Sequence, residues 1–218
     1  IENVTHNVKR FRVQKPEGYV FIPGQATEVS INEQGWEENK HPFTFTSLNS
    51  DIYLEFTIKM YHVNEYPTHS GMTEMLDTLT VGDELIFDKP WGSISYKGVG
   101  TFIAGGAGIT PFIAILRDLH SKNQLSGNTL IFSNKTERDI ILKDELINMF
   151  KDNPENLVFV LTQEEKSPYH FGRINEELLQ KYITSTNKNF YVCGPRPMVK
   201  EMLSILESKN IDSLIFEK

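Results

Sequence analysis

Residues Phe102 to Phe112 read FIAGGAGITPF, and residues Phe190 to Met198 read FYVCGPRPM. Each is an apolar run that breaks at glycine and resumes with helical spacing. Gly106 and Gly108 permit a sharp turn and leave room for a ligand against the main chain. Thr110 suits a helix N-cap and Pro111 the first helical position, where a missing N–H is harmless. A helix starting there turns amide donors and its positive dipole end toward an anion such as a pyrophosphate. The loop is not a Walker A motif, since no Gly-Lys-Ser/Thr follows, and Pro111 stands where GxGxxG has its third glycine. Taken alone, it fits a plain strand-to-helix turn as well as a phosphate cradle. The second stretch adds a thiol, Cys193, at a strand's carboxyl end. Ligands of parallel sheets sit at that end, so both loops would open onto the same edge.

Such a site needs a parallel sheet, and the second half of the chain is patterned for one. The runs TFIA, LIF, LVFVL, NFYVC and SLIFE alternate with Pro111–Ser121, Asp139–Lys151, Ile174–Ile183 and Pro197–Ser208, whose apolar residues recur every three or four positions. The first half has period two. In IYLEFTIKM, Ile52, Leu54, Phe56, Ile58 and Met60 share one face, and Tyr53, Glu55, Thr57 and Lys59 the other. Similar runs at Val4–Val13, Tyr19–Ile22, Thr27–Ile31, Pro42–Thr46 and Glu84–Phe87 predict an antiparallel β-barrel. The expected fold class is β followed by α/β. The boundary falls at Lys97-Gly98-Val99-Gly100, giving a barrel domain over 1–97 and a parallel-sheet domain over 98–218.

The chain has 218 residues, 39% hydrophobic and 23% charged, an ordinary globular composition with room for two cores. Its net charge of −7 is uneven: residues 1–97 hold eight basic and fourteen acidic residues, the remainder fourteen and fifteen. An acidic chain without a basic run argues against nucleic-acid binding. No apolar run approaches the ~20 residues that span a bilayer, and IENVTHNVKRF has no signal-peptide core. One cysteine excludes an internal disulfide and a cysteine-ligated cluster, and fits a reducing cytoplasm. His62 and His69 lie close together without a third ligand at metal-binding spacing, so no metal site is expected. Trp91 in KPWGS reads as packing at the barrel's end.

With GGAGITP and YVCGPRPM in the second half and HPFTFTS in the first, the chain resembles the ferredoxin-NADP reductase superfamily, in particular bacterial flavodoxin or ferredoxin reductase-like proteins. The resemblance covers essentially the whole chain. It implies an FAD-binding barrel followed by a nicotinamide-nucleotide-binding α/β domain. The family's Arg-x-Tyr-Ser/Thr motif falls on His41, Pro42, Phe43 and Thr44. Phe43 would lie against the flavin ring and Thr44 would bond near its N5 atom. His41 replaces the arginine that faces the FAD pyrophosphate, offering a single donor in place of a bidentate fork; HPFT is similar to the form in ferric reductases and NADPH oxidases. Lys59, Met60 and Tyr61 would supply backbone contacts to the flavin. Gly71, Met72 and Thr73 would open a short helix toward the FAD phosphates, Thr73 adding its hydroxyl. Gly106, Gly108, Thr110 and Pro111 match the pyrophosphate loop. Cys193, Gly194 and Pro195, followed by Met198, match the segment beside the nicotinamide. In the family, an acid near a terminal aromatic assists proton traffic while the aromatic covers the flavin. Here, in IFEK, Glu217 is the candidate acid, and either Phe216 takes part of the aromatic's role or the flavin face is less covered.

The implied reaction is hydride transfer from a reduced nicotinamide to FAD, then single-electron transfer, with Thr44, Cys193 and Glu217 nearest the chemistry. NADPH-specific members carry Ser-Arg after the third strand of the nucleotide domain, where this chain has Thr162 and Gln163, then Glu164 and Glu165. A neutral amide beside two carboxylates disfavours a 2′-phosphate and favours NADH; Lys135 and Arg138 could reverse this toward NADPH. The expected function is that of an FAD-dependent NAD(P)H oxidoreductase, monomeric and without an iron–sulfur domain, whose acceptor is flavodoxin, ferredoxin or an oxygenase component. A ferric or free-flavin reductase, and a flavin- or nucleotide-binding regulatory module without turnover, are the alternatives.

Overall fold

The computed structural model describes residues 1–182, 189–209, 211 and 213–216. The alternating N-terminal run is divided by a turn at His6-Asn7 into β1 (Glu2–Thr5) and β2 (Val8–Gln14), which pair antiparallel. After β3 (Ala26–Ile31), β4 (His41–Thr44) and β5 (Tyr53–Lys59) come helix α1 (Met72–Thr78) and β6 (Leu85–Phe87). Among the described residues the barrel is built of two three-stranded antiparallel sheets, β1-β2-β5 and β4-β3-β6. A bridge between Phe45 and Phe56 links them, and Phe11, Val29, Phe45, Leu54, Phe56 and Leu76 fill the core. Two local expectations are revised. Tyr19–Ile22 forms no strand, because Pro16 and Pro23 bracket it and donate no ladder bonds; Phe21 is buried, its N–H donating to the Asn49 side chain, and half-buried Tyr19 packs edge-on against Phe45 and Phe87. Ile52 precedes β5 and is 88% exposed.

The second half alternates as its pattern requires. The elements are β7 (Gly100–Gly105), α2 (Thr110–Ser121), β8 (Thr129–Asn134), α3 (Lys143–Met149), β9 (Leu157–Leu161), β10 (His170–Phe171), α4 (Glu176–Gln180), β11 (Asn189–Cys193), α5 (Arg196–Ser208) and β12 (Leu214–Phe216). Among the described residues the strands form one parallel sheet in the order β10-β9-β8-β7-β11-β12. Phe112, Leu116 and Leu146 of α2 and α3 bury one face, while Leu179, Met202 and Leu206 of α4 and α5 bury the other. Two helices are shorter than their apolar patterns. Thr136 and Asp139 cap a single turn before α3, and Leu142 has φ of 53°, which delays the helix to Lys143. Asn175 accepts a bond from the Leu178 amide and so starts α4 at Glu176; Ile183 lies outside the described residues.

The two halves share a core. Val8 and Ile94 from the antiparallel part pack into the cluster around α2. Between the halves the chain is anchored by fully buried Tyr191, whose hydroxyl donates to the Gly98 carbonyl at 2.7 Å and accepts from the Lys97 amide at 2.8 Å. Tyr191→Phe is expected to destabilise by about 1–3 kcal/mol, since it strands a part-buried amide and carbonyl. Urea unfolding tests this as a lower midpoint at unchanged slope.

Candidate functional site

The carboxyl ends of β7, β8, β9 and β11 face β4 and β5 across a cavity of about 760 Å³. From the antiparallel part it is lined by Pro42, Phe43 and Thr44 of β4, by Lys59 and Tyr61 at the end of β5, and by Thr73 of α1. From the parallel part come Gly106, Gly108, Thr110, Pro111 and Thr162, with Cys193, Gly194, Pro195 and Met198. Residues read from three separate motifs therefore meet around one space.

The glycine loop differs in detail from its expected form. Gly106–Ile109 make a 3-10 turn, so the helical winding begins a turn early and Thr110 is the first residue of α2 rather than its cap. The Thr110 hydroxyl donates to the Ala107 carbonyl at 3.1 Å. Gly106 has φ of 52°, and a Cβ there would meet nothing within 4 Å, so its open side faces unfilled space. Gly108 has the opposite reason for being glycine. A Cβ there would lie 2.5 Å from the Cys193 carbonyl oxygen and 2.6 Å from the Gly194 Cα. The two loops touch backbone to backbone.

Other residues expected at the site lie around or outside the cavity. Met60 and Met72 point into the barrel core, and Gly71 caps α1 by its backbone. His41 Nε2 lies 3.1 Å from Asn39 Oδ1 and 2.9 Å from Ser70 Oγ, which ties β4 to the start of α1. The Thr73 hydroxyl accepts from the Tyr61 amide and donates to the Tyr61 carbonyl, so its donor is engaged within the protein. Gln163 is exposed, its amide bonded to the Lys135 carbonyl. Phe216 lines a second cavity, of about 670 Å³, behind Cys193 and Gly194. Glu217 lies outside the described residues.

Burial lowers the Lys59 ammonium below its ordinary value; Asp139 opposes this and Lys135 adds to it. The cation faces a half-enclosed space in which an anion would be welcome. Burial also raises the Tyr61 phenol, whose ring stacks on His69 with centroids 4.5 Å apart. Sequence reading missed Asn134, Arg173 and Glu201, all in the cavity wall. Asn134 is 5% exposed, and neither of its side-chain amide atoms has a hydrogen-bond partner among the described residues. A buried amide left so is primed for a ligand or water. Its position at the carboxyl end of β8, equivalent to that of Cys193 on β11, is the signal that could have identified it.

These features fit a flavin with a nicotinamide nucleotide. The Gly106 cradle and Lys59 suit phosphate, Phe43 offers a partly exposed ring, and Asn134 has both donor and acceptor to give. Among the described residues no helix is long and apolar enough to cross a membrane.

Comparison with known proteins agrees. Residues 1–96 match the family described as "Oxidoreductase FAD-binding domain" and residues 102–203 that described as "Oxidoreductase NAD-binding domain". NADH-cytochrome b5 reductase 2 of Gallus gallus is 28% identical over 234 residues, covering 91% of this chain and 76% of its own. The reductase component of propane 2-monooxygenase from Rhodococcus jostii (strain RHA1) is 26% identical, covering all of this chain and 61% of its own. The fold matches that of a ferredoxin NADP+ reductase from Neisseria gonorrhoeae with bound FAD and NADP, with TM-score 0.81, 20% identity, and coverage of 99% of this chain and 94% of the other. An FAD-binding region and an NAD-binding region that follow each other in this order, over nearly the whole length, place the chain among the oxidoreductases built from these two domains, with a ferredoxin-NADP-reductase-like fold.

Proposed function

We propose that this chain takes a hydride from NADH and passes the electrons singly to a redox protein, with residues 1–97 holding FAD and residues 98–218 the nicotinamide nucleotide. Phe43 and Thr44 share one cavity with the Gly106–Gly108 loop and with Cys193-Gly194-Pro195, and this juxtaposition carries the proposal. FAD bound there would supply the hydride-to-single-electron conversion that no side chain can perform. The chain's part is to bind, orient and shield. Phe43 presents its ring and Thr44 its hydroxyl on the barrel side, and His41 with Ser70 marks where the start of α1 meets β4. Lys59 and the Gly106 cradle neutralise phosphate charge, and the Cys193-Gly194-Pro195 turn closes the nicotinamide side.

Preference for NADH follows from the loop after β9. Glu164 is held in place because its carboxylate accepts from the Glu137 amide at 2.7 Å. Lys143 and Lys166 are paired with Glu137. A fixed carboxylate next to Thr162 and Gln163, with two nearby cations already engaged, disfavours a second phosphate. The Gallus relative is also named for NADH. Relatives named for cytochrome b5 and for a monooxygenase favour a haem protein or an oxygenase component as acceptor, and the single cysteine is in keeping with the cytoplasm. The test is anaerobic stopped-flow mixing of FAD-loaded protein with NADH and NADPH at equal concentration. The flavin should bleach, and faster with NADH. Bound flavin that neither nucleotide reduces would defeat the proposal, and a clearly faster NADPH phase would reverse the preference.

A further inference from the structure

Glu55 lies in the middle of β5 on the face that strand alternation assigns to solvent, yet it is 1% exposed. What covers it is α2. Arg117 reaches across from that helix, its Nη1 donating at 2.6 Å to Glu55 Oε1 and at 2.5 Å to the carbonyl of Thr46. Its Nε and Nη2 hold Glu145 of α3 as a fork, at 2.6 and 2.9 Å. The other oxygen of Glu55 accepts from Arg12 Nε at 3.0 Å, and Arg10 lies 3.7 Å away. Thr46 also donates its hydroxyl to Glu55 Oε1, and its amide to the Glu55 carbonyl. One guanidinium thus binds two barrel segments and two nucleotide-domain helices.

The tie sits where alignment is decided. Thr46 stands two residues beyond Thr44. Arg117 stands seven residues, two helical turns or ~10 Å, beyond Thr110, on the helix that begins with the glycine loop. We infer that Arg117 is a positioning residue: by clamping Glu55 and Thr46 to α2, it sets the distance and tilt between the Phe43–Thr44 surface and the Gly106–Gly108 loop, and hence between the two rings that react. The inference rests on the functional reading above. Burial alone would lower the Arg117 guanidinium, but Glu145 and Glu55 outweigh it and keep the cation strongly charged.

Arg117→Met alone leaves Glu55 partly uncompensated, so the informative variant pairs Arg117→Met with Glu55→Gln, removing one charge of each sign; Arg117→Lys keeps the charge without the fork. Hydrogen exchange of the apoprotein reads the seam without any cofactor. The Thr46 and Glu55 amides should exchange faster in the double variant while Val29 and Phe190, in the two cores, stay as in wild type. In the FAD-loaded protein, flavin content and NADH dissociation constant should remain within ~3-fold of wild type, while hydride transfer slows roughly 10- to 100-fold, the scale of ångström misplacement at a reacting centre. The long-wavelength absorbance of the stacked ring pair should weaken in parallel, and Arg117→Lys should fall between. A double variant that keeps wild-type exchange, hydride rate and ring-pair absorbance overturns the inference. If wild-type flavin is never reduced by a nicotinamide nucleotide, the functional reading fails instead, and the apoprotein exchange still shows whether Arg117 holds the seam.

Discussion

Gly108→Val should abolish reduction by NADH, lowering the bleaching rate at least ~100-fold, while the protein keeps its FAD. The valine Cβ would sit 2.5 Å from the Cys193 carbonyl oxygen and 2.6 Å from its carbonyl carbon. Both are backbone atoms at the end of a central strand, so no flexible side chain can move aside. The loops after β7 and β11 must separate, and a shift of about an ångström between groups that align a reacting centre can cost ~10²-fold. FAD retention survives because the barrel core around Phe45 and Phe56 has no part in the clash. Gly106→Ala is the milder partner. Its Cβ meets nothing, and its expected cost is the left-handed backbone strain of roughly 1–2 kcal/mol. Flavin content after gel filtration and anaerobic bleaching by NADH check both variants. Reduction of Gly108→Val at the wild-type rate would mean that the loop contact is irrelevant to the chemistry.

Glu55→Ala should destabilise the fold by about 3–5 kcal/mol at neutral pH, the scale for removing one partner of a buried ion pair. Arg117, Arg12 and Arg10 would be left facing one another, with Glu145 still beside Arg117 and Glu2 beside Arg10. The effect is pH-dependent with a definite sign. Burial by itself would raise the Glu55 carboxyl above its ordinary value of 4.5, but Arg117, Arg12 and Arg10 outweigh it and hold it lower. A carboxyl lowered on folding stabilises the protein above its unfolded pKa, and that contribution disappears as pH falls through the folded value. The stability gap between wild type and Glu55→Ala should therefore be full near pH 7 and narrow below ~4.5. Acid sensitivity will not vanish in the variant. Glu137, held at about 2 by hydrogen bonds from Lys143, Lys166 and Tyr169, acts in the same direction from a separate cluster. Urea titrations of both proteins at several pH values decide this. A gap that stays constant down to pH ~3 would show that the Glu55 charge is not what the fold uses.

Much of the site was legible because its signals are local. A strand that runs into Gly-Ala-Gly and then Thr-Pro has few other conformations, and the change of period from two to about 3.6 announces the change from antiparallel sheets to a helix-covered parallel sheet. The part played by other side chains depends on what lies across space. Met60 and Met72 sit within motifs whose backbone is at the site, yet they turn into the barrel core. Thr73 brings a hydroxyl whose donor is engaged by Tyr61. Asn134 carries no motif, and its buried side-chain amide, without a partner among the described residues, is visible only once β8 is placed between β7 and β9.

By itself, the sequence determined the change from antiparallel strands to alternating strands and helices and the glycine turns after β7 and β11, since backbone torsions and side-chain alternation act over a few residues. The tertiary structure alone decided which faces are covered. Alternation puts Glu55 opposite Phe56 but cannot say whether water or another helix lies there, and its partner Arg117 is 62 residues away. A charge is stabilised by whatever group approaches it, and that approach is set by the packing of two cores rather than by neighbours along the chain.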